Sequence, residues 1–425
     1  MNIVFVTTRL FDVPRSGGEI CTARLLGELL DAGHRLHVIG RGPAPPAAAA
    51  GALRYTSLGP AVPAFEDLSP PRQLAAMLCA VAAGQASTVH RLAAGGPARL
   101  IRQVLMDCGS PTPDALWLDH LQVWPWTAGS AGLPAPVLVM HNLESSGYAE
   151  QAGAGSVAVP RHRRWALERE ARLLRRLELQ AIGSAAAVAC LSEHDAAPLR
   201  ALARASGSRA VVEVLPGFPL RSFAPSAPAS PSAPRAAGAA RRIGLIGTWT
   251  WAPNRAGLQW LLDRVLPLLP GDCRVVLAGS GLDNLQLPDR VQSLGRVDDI
   301  RDFYGQIDVI AVATVQGSGV QEKAIEAIAC GLSVVATPLA LRGLGGPLPA
   351  HVCVAEDPAG FASACAAWPT ENAAPHDAVR AWAQHQRDQY RGAVKRCLQA
   401  VSNAAVSNTA VSNARRQAPA PHAAP

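Results

Sequence analysis

A stretch of alanine, proline and serine divides this chain of 425 residues into two halves that repeat one pattern of elements. Residues 224–240 have no periodic apolar face, which is typical of a flexible linker. On either side of it, short β-rich runs alternate with amphipathic helices. Such alternation favours parallel sheets covered by helices on both faces. We therefore predict an α/β protein with two doubly wound domains that face a cleft.

The first half begins with a strand, a glycine-containing loop, a helix and a second strand, which is the order of a βαβ unit. The loop carries Ser16, Gly17 and Gly18, and the helix is predicted over residues 20–32. Strands are predicted at 3–6, 37–39, 115–118, 137–140 and 187–191, and a long arginine-rich helix at 160–182. The first half is thus expected to be one parallel sheet with its helices.

The second half repeats this alternation. Strands are predicted at 243–246, 274–277, 309–312, 333–336 and 351–354, with helices at 257–268 and 321–329. We predict Rossmann-like domains over 1–217 and 242–377, joined by a linker over 218–241. A C-terminal helix over 378–400, which could cross back to the first domain, precedes a tail at 401–425. Val-Ser-Asn recurs three times in that tail, and we expect it to be disordered.

The composition of the chain limits its expected ligands, partners and cellular location. The net charge of +7 suits phosphate-bearing ligands or an anionic membrane surface, but no nucleic-acid motif accompanies it. The nine cysteines are scattered without metal-ligand spacing, and the N-terminus lacks the pattern of a signal peptide. We expect a cytoplasmic protein, with peripheral association at the inner face of the membrane left open, and no nucleic-acid partner.

The most specific segment spans residues 317–337, where a glycine-rich loop leads into a helix and then a strand. Free backbone amides and the helix dipole at such a helix start favour an anion such as diphosphate. Lys323 and Glu326 lie one helical turn apart, so both can face one ligand. A carboxylate can accept hydrogen bonds from two ribose hydroxyls. The loop residues are Gly317, Ser318, Gly319 and Val320.

This segment resembles the donor-binding motif of glycosyltransferase family 4, a retaining, GT-B class that uses sugar nucleotides. The resemblance implies that Glu326 binds the donor ribose and that the loop at 317–320 lies beneath the donor sugar and diphosphate. Ser318 stands where many relatives have a glutamate. The loop after the first strand of the second half, which includes Asn254 and Arg255, lacks the usual pair of cations. Either Arg255 or Lys323 would then supply the charge.

In the first half, His141 and Asn142 directly follow a predicted strand, at the edge where ligands of parallel sheets bind. The segment resembles a His-Asn-x-Glu motif of a subset of the family, which implies that His141 faces the donor sugar. Gly17 and Gly18 match the family's loop near the acceptor and the donor phosphate. The alternative for His141 is a histidine whose hydrogen bonds are made within its own loop. The alternative for Gly17 and Gly18 is a turn without a binding role.

The resemblance implies retaining transfer of a sugar from a nucleotide diphosphate sugar to a carbohydrate or lipid-linked acceptor, in surface polysaccharide or glycolipid synthesis. It implies no cofactor and no metal. A binding protein without turnover and a sugar-nucleotide epimerase remain alternatives. The arginine-rich helix could lie on a membrane, but its glutamates, Glu168, Glu170 and Glu178, favour ion pairs on a solvated face.

Overall fold

A computed structural model describes residues 1–417 except positions 15, 46–50, 66, 108–111, 131, 154–159, 221–239, 283–284, 318 and 368–375. The chain forms two compact units. The first comprises Met1–Leu215 and the segment that begins at Arg391, and the second comprises Pro216–Tyr390. Most of the predicted linker falls at 221–239, outside the described residues.

The first unit is built on a seven-stranded parallel sheet in the order β3-β2-β1-β4-β5-β6-β7. The strands are β1 (Asn2–Thr7), β2 (Arg35–Gly40), β3 (Leu53–Ser57), β4 (Ala115–Asp119), β5 (Val137–Met140), β6 (Ala187–Cys190) and β7 (Val211–Val214). Strand order reverses between β1 and β4, and ligands of open α/β sheets bind outside the carboxyl ends of strands at such a reversal. The strand register pairs Thr7 with Asp119, the last residues of these two strands.

The helices of the first unit connect these parallel strands. They are α1 (Gly17–Asp31), α2 (Pro70–Ala82), α3 (Ser87–Leu92), α4 (Pro97–Asp107), α5 (Trp124–Thr127), α6 (Glu144–Gly153), α7 (Arg161–Ser184) and α8 (Glu193–Ala205). The first helix begins three residues earlier than predicted. Ser16 caps it by accepting from the amide of Glu19, whose carboxylate accepts from the amide of Ser16. Gly17 and Gly18 therefore form the first turn of α1, not a loop before it.

The second unit has a six-stranded parallel sheet in the order β10-β9-β8-β11-β12-β13. Its strands are β8 (Arg242–Ile246), β9 (Arg274–Ala278), β10 (Val291–Ser293), β11 (Val309–Val312), β12 (Val334–Ala336) and β13 (Val352–Val354). Strand order reverses between β8 and β11. The loops after these two strands are therefore the expected place for a ligand in this unit.

The helices of the second unit are α9 (Ala252–Trp260), α10 (Ile300–Tyr304), α11 (Glu322–Ala329) and α12 (Pro358–Ala367). The helix predicted at 257–268 starts earlier than predicted, and only its first part is α-helical, although the helical segment ends at Leu268 as predicted. It begins at Ala252, with Pro253 in its first turn, and after Trp260 it becomes a π-helical turn and then a 3-10 turn. Pro267 explains this ending, because proline lacks the amide hydrogen that a continuing α-helix needs.

The last helix, α13 (His376–Gln417), runs from the second unit into the first and extends past the predicted end at residue 400. The predicted disorder from residue 401 is thus not what the structure shows, and Val401 is only 1% exposed. Residues 418–425 of the tail lie outside the described residues. Among the described helices, none combines the length and apolar content that a bilayer-crossing segment needs.

Candidate functional site

In the second unit, α9 and the loop after β11 approach each other closely at the strand reversal. A Cβ atom on Gly257 of α9 would lie 1.9 Å from the carbonyl oxygen of Ala313. Gly317 has a φ of +101°, and a Cβ there would lie 2.9 Å from Cγ of Pro253. Only glycine fits both positions, so these residues bring the start of α9 against the glycine-rich loop.

This approach joins Lys323, in the first turn of α11, to Asn254, in the first turn of α9. Nζ of Lys323 donates to Oδ1 of Asn254 at 2.8 Å, and Nδ2 of Asn254 donates to the carbonyl oxygen of Thr248 at 3.0 Å. Burial lowers the pKa of Lys323 to about 8. A desolvated ammonium whose hydrogen-bond partner is a neutral amide gains most from an anionic ligand.

The glycine-rich loop is held by a cation that the sequence analysis missed. Arg342 donates from Nε to the carbonyl oxygen of Gly319 at 2.5 Å and from Nη1 to that of Gly317. Val320 fills the space where Gly343 would carry a side chain, since a Cβ there would lie 2.2 Å from Cγ2 of Val320. Ser318 lies outside the described residues. Arg342 thus fixes the loop and brings positive charge to it.

Glu326 follows Lys323 by three positions on α11, and its side chain is half-buried. Burial, and then the charge of Glu326, raises the pKa of the Tyr304 hydroxyl well above its ordinary value. Arg255 is exposed on α9, next to Asn254. The structure therefore brings Lys323 and Asn254 into contact and leaves Arg255 facing solvent.

In the first unit, a buried carboxylate at the end of β4 binds side chains from β1, from α1 and from the loop after β5. Asp119, at the end of β4, is fully buried. Its Oδ2 accepts from Oγ1 of Thr7 at 2.9 Å and from Oγ1 of Thr22 at 2.7 Å, and its Oδ1 accepts from Nε2 of His141 at 2.7 Å. Thr22 also donates to the carbonyl oxygen of Gly18 at 3.0 Å. The first turn of α1 and the predicted site residue His141 are thus tied to one carboxylate.

His120 is the second imidazole of this cluster. Its Nδ1 lies 3.4 Å from Oδ2 of Asp119, and its ring stacks on that of His141 with centroids 3.8 Å apart and planes at 10°. Its φ of +83° is the only positive value at a non-glycine position among the described residues. On its other side, a Cβ on Gly18 would lie 3.7 Å from its Nε2. Backbone strain of this kind persists where the surroundings require it, and it concentrates at functional sites.

The cluster shifts the proton affinities of its members. Burial alone would raise the pKa of Asp119, but the charges and hydrogen bonds of His120 and His141 hold it well below its ordinary value. Burial would lower the pKa of His120, but the Asp119 carboxylate, together with the charge of Glu144, raises it above its ordinary value. Burial also raises the pKa of Glu144, at the start of α6. The cluster therefore favours the ionised form of Asp119 and makes His120 easier to protonate than an ordinary imidazole.

Asp119, His120 and His141 are close enough to suggest a metal site, since one potential ligand atom from each lies within 4.8 Å of the others. Their geometry does not fit one. The lone pairs of an imidazole lie in the ring plane, so two rings stacked at 10° keep them in two nearly parallel planes that do not meet at one ion beside the rings. Both oxygens of Asp119 already accept hydrogen bonds. The arrangement is that of two imidazoles sharing one carboxylate.

Sequence reasoning found His141 but missed Asp119 and His120. The strand of β4 was predicted to end at Leu118, and two polar residues follow it directly. The same argument that selected His141, a polar residue at the carboxyl end of a buried strand, applies to both. The sequence thus contained the polar residues after a buried strand, but it could not predict that β4 pairs with β1 at the strand reversal.

A comparison with known proteins finds a family match within the second unit. Residues 240–368 match the family model of Glycosyl transferases group 1. No curated protein sequence matches the chain.

Solved structures resemble both units. HepE of Anabaena, in complex with UDP and glucose, is 15% identical, with a TM-score of 0.56 over 96% of this chain and 100% of that one. Sucrose-phosphate synthase from Thermosynechococcus elongatus is 16% identical, with a TM-score of 0.58 over 96% and 99%. The apo lipopolysaccharide outer core galactosyltransferase WaaB is 11% identical, with a TM-score of 0.51 over 96% and 100%. Residues 240–368 thus match the group 1 glycosyltransferases, and the chain has the GT-B fold of these structures.

Proposed function

We propose that the chain transfers a sugar, with retention of anomeric configuration, from a nucleoside diphosphate sugar to a hydroxyl of a carbohydrate or lipid-linked acceptor. The product would enter surface polysaccharide or glycolipid synthesis. The family match of the second unit supports transfer, and the complexes of HepE with UDP-glucose and with UDP and glucose support the donor class. All eight cysteines of the described residues are free thiols, which fits a cytoplasmic location.

The observation that carries this proposal is the contact between Lys323 and Asn254 at the strand reversal of the second sheet. The desolvated ammonium would bind the diphosphate, together with the backbone amides at the start of α11. Glu326, one turn further along α11, would accept hydrogen bonds from the ribose hydroxyls. Arg342 would keep the loop at Gly317 and Gly319 in place beneath the donor.

In the first unit, His141 would face the reacting sugar, with Gly17 and Gly18 at the acceptor and phosphate side. Asp119 would orient His141 by accepting from its Nε2. Removal of His141 should therefore lower turnover more than donor affinity.

Neutralisation of the leaving diphosphate by Lys323 and by helix amides would need no metal ion. We propose that the reaction requires none. Turnover that is lost in EDTA and restored by a divalent cation would contradict this.

The experiment is a titration of the full chain with a panel of nucleoside diphosphate sugars, followed by product analysis by NMR. Glu326→Ala should weaken donor binding by about 2–4 kcal/mol, because charged hydrogen bonds to ribose are lost. Glu356→Ala is the matched control, since Glu356 is an exposed carboxylate of the same unit.

The products separate the alternatives. A glycosylated acceptor in which the transferred sugar keeps the anomeric configuration of the donor supports the proposal. An isomerised sugar nucleotide would identify an epimerase, and tight donor binding without any product across the acceptor panel would identify a binding protein. Equal donor affinity in Glu326→Ala and the parent protein would show that the ribose assignment is wrong.

A further inference from the structure

The outer face of α2 is apolar although it faces solvent. Leu74, Leu78 and Val81 are 59%, 60% and 41% exposed. Their spacing of four and then three residues places them in one stripe along the helix. The packed side of α2 carries other residues, among them the fully buried Ala80. The core of the first unit therefore does not use this stripe, and no acidic residue lies on α2.

The start of α7 presents arginines and a tryptophan to solvent. Arg161, Arg163 and Arg164 are exposed, and Trp165 is 54% exposed. Further along the helix, three more arginines are exposed, namely Arg172, Arg175 and Arg176. A tryptophan among arginines is a typical composition of surfaces that bind the interface of a bilayer.

Two of the three glutamates that favoured ion pairs on a solvated face are turned inward, which corrects that interpretation. Glu170 accepts from the amide and hydroxyl of Ser87 at 2.7 and 3.2 Å, and Glu178 accepts from those of Ser145 at 3.0 and 2.6 Å. Only Glu168 of the three is exposed. The outer face of α7 therefore keeps a large excess of positive charge.

The two faces are neighbours. Nη2 of Arg169 donates to the carbonyl oxygen of Ala80 at 3.1 Å, which holds the end of α2 against α7. Val81 follows Ala80 in sequence, and Trp165 precedes Arg169 by one helical turn, about 6 Å along the axis. The apolar stripe of α2 and the exposed residues of α7 thus form one basic and apolar region, here called the α2–α7 surface.

We propose that the α2–α7 surface docks on a bilayer that contains anionic lipid, with the α2 stripe and Trp165 in the interface and the arginines on the lipid headgroups. Charge decides between this occupant and a second copy of the chain, since six exposed arginines on α7 would repel their counterparts. The inference goes beyond the proposed reaction and uses none of its donor-binding residues.

The test is sedimentation of the full chain with phosphatidylcholine vesicles prepared with and without phosphatidylglycerol. Binding should require phosphatidylglycerol and weaken with salt. Each basic residue near such a surface contributes roughly fivefold to binding, so Arg161→Gln, Arg163→Gln and Arg164→Gln together should lower it roughly a hundredfold. The matched control changes the exposed arginines Arg204, Arg209 and Arg264 to glutamine, with the same loss of net charge.

The apolar stripe is tested by Leu74→Glu with Leu78→Glu, for which a loss of roughly tenfold or more is expected. Leu268→Glu is its control, because Leu268 is 54% exposed in the second unit. Donor affinity, measured on every variant, should not change, which separates this inference from the proposed function and also reports intact folding.

Absence of binding to anionic vesicles at low salt would overturn the proposal, as would equal binding by the leucine variant and its control. If the parent protein dimerises and the leucine variant dissolves the dimer without affecting vesicle binding, the stripe joins two copies and the membrane assignment falls.

Discussion

Asp119→Asn is the most informative single change in the first unit, because it keeps the shape of a fully buried side chain and removes its charge. The carboxylate accepts from Thr7, Thr22 and His141. An asparagine has one acceptor oxygen, so its NH2 group must face either the two hydroxyls or Nε2 of His141. In the first case the hydroxyls must rotate to accept, and in the second His141 must change its tautomer.

The expected loss in stability equals the contribution of the hydrogen bond to Asp119 that asparagine cannot accept. One charge-assisted hydrogen bond contributes about 1.5–3 kcal/mol. For a unit of this size each kcal/mol changes the melting temperature by roughly 2–4 °C, so Asp119→Asn should lower it by roughly 3–12 °C. The control is Asp114→Asn on the opposite end of β4, where Asp114 accepts from the amide of Asn2 at an exposed edge.

Asp119→Asn should lower turnover more than its loss of stability alone would explain. Turnover should fall about a hundredfold with little change in donor affinity, as for a group that orients a catalytic imidazole. The pKa of His120, followed by NMR, should drop, because burial would no longer be opposed by the carboxylate. A variant with lower melting temperature but turnover within a factor of about two of the parent would show that Asp119 only supports the fold.

Three further predictions concern the second unit and the last helix. Lys323→Met should lower kcat/KM at least about tenfold, and Arg255→Met should lower it less, as measured by steady-state kinetics. An unchanged kcat/KM in Lys323→Met together with a lowered value in Arg255→Met would assign the diphosphate contact to Arg255 instead. Because diphosphate would raise the pKa of about 8 at Lys323, donor affinity should be full below pH 8 and fall by up to about tenfold per pH unit above it. Calorimetry should show this fall for the parent and for Lys395→Met, the only other lysine, but not for Lys323→Met. Truncation after Ala400 should lower the melting temperature, because it removes the buried Val401, and an unchanged melting temperature would show that this residue does not stabilise the fold.

The sequence was sufficient to predict the strands whose side chains are buried on both faces of a sheet. Every central strand of both sheets was predicted, because a run such as Val309–Val312 is apolar throughout. The strands that were missed, β3, β7 and β10, all lie at sheet edges. An edge strand is partly exposed and tolerates polar residues, as in Leu53–Ser57, so its sequence carries a weaker pattern.

The candidate sites divide in the same way. The helix that carries Lys323 and Glu326 could be predicted because its pattern is local in sequence. The contact of Lys323 with Asn254 spans 69 positions, and that of His141 with Asp119 spans 22. Both depend on which strands are neighbours. The positive φ of His120 could not be predicted, since nothing local requires it in a non-glycine residue.

The course of α13 has a consequence for how the chain is made. The first unit includes residues from both ends of the chain, and Arg391 pairs with the buried Glu28 across 363 positions. At about 5–20 residues per second, a ribosome needs roughly 20–70 s to synthesise that interval. During this time Glu28 lacks its arginine, although the strands around it have already emerged. The last step in completing the first unit is therefore set by translation of the second.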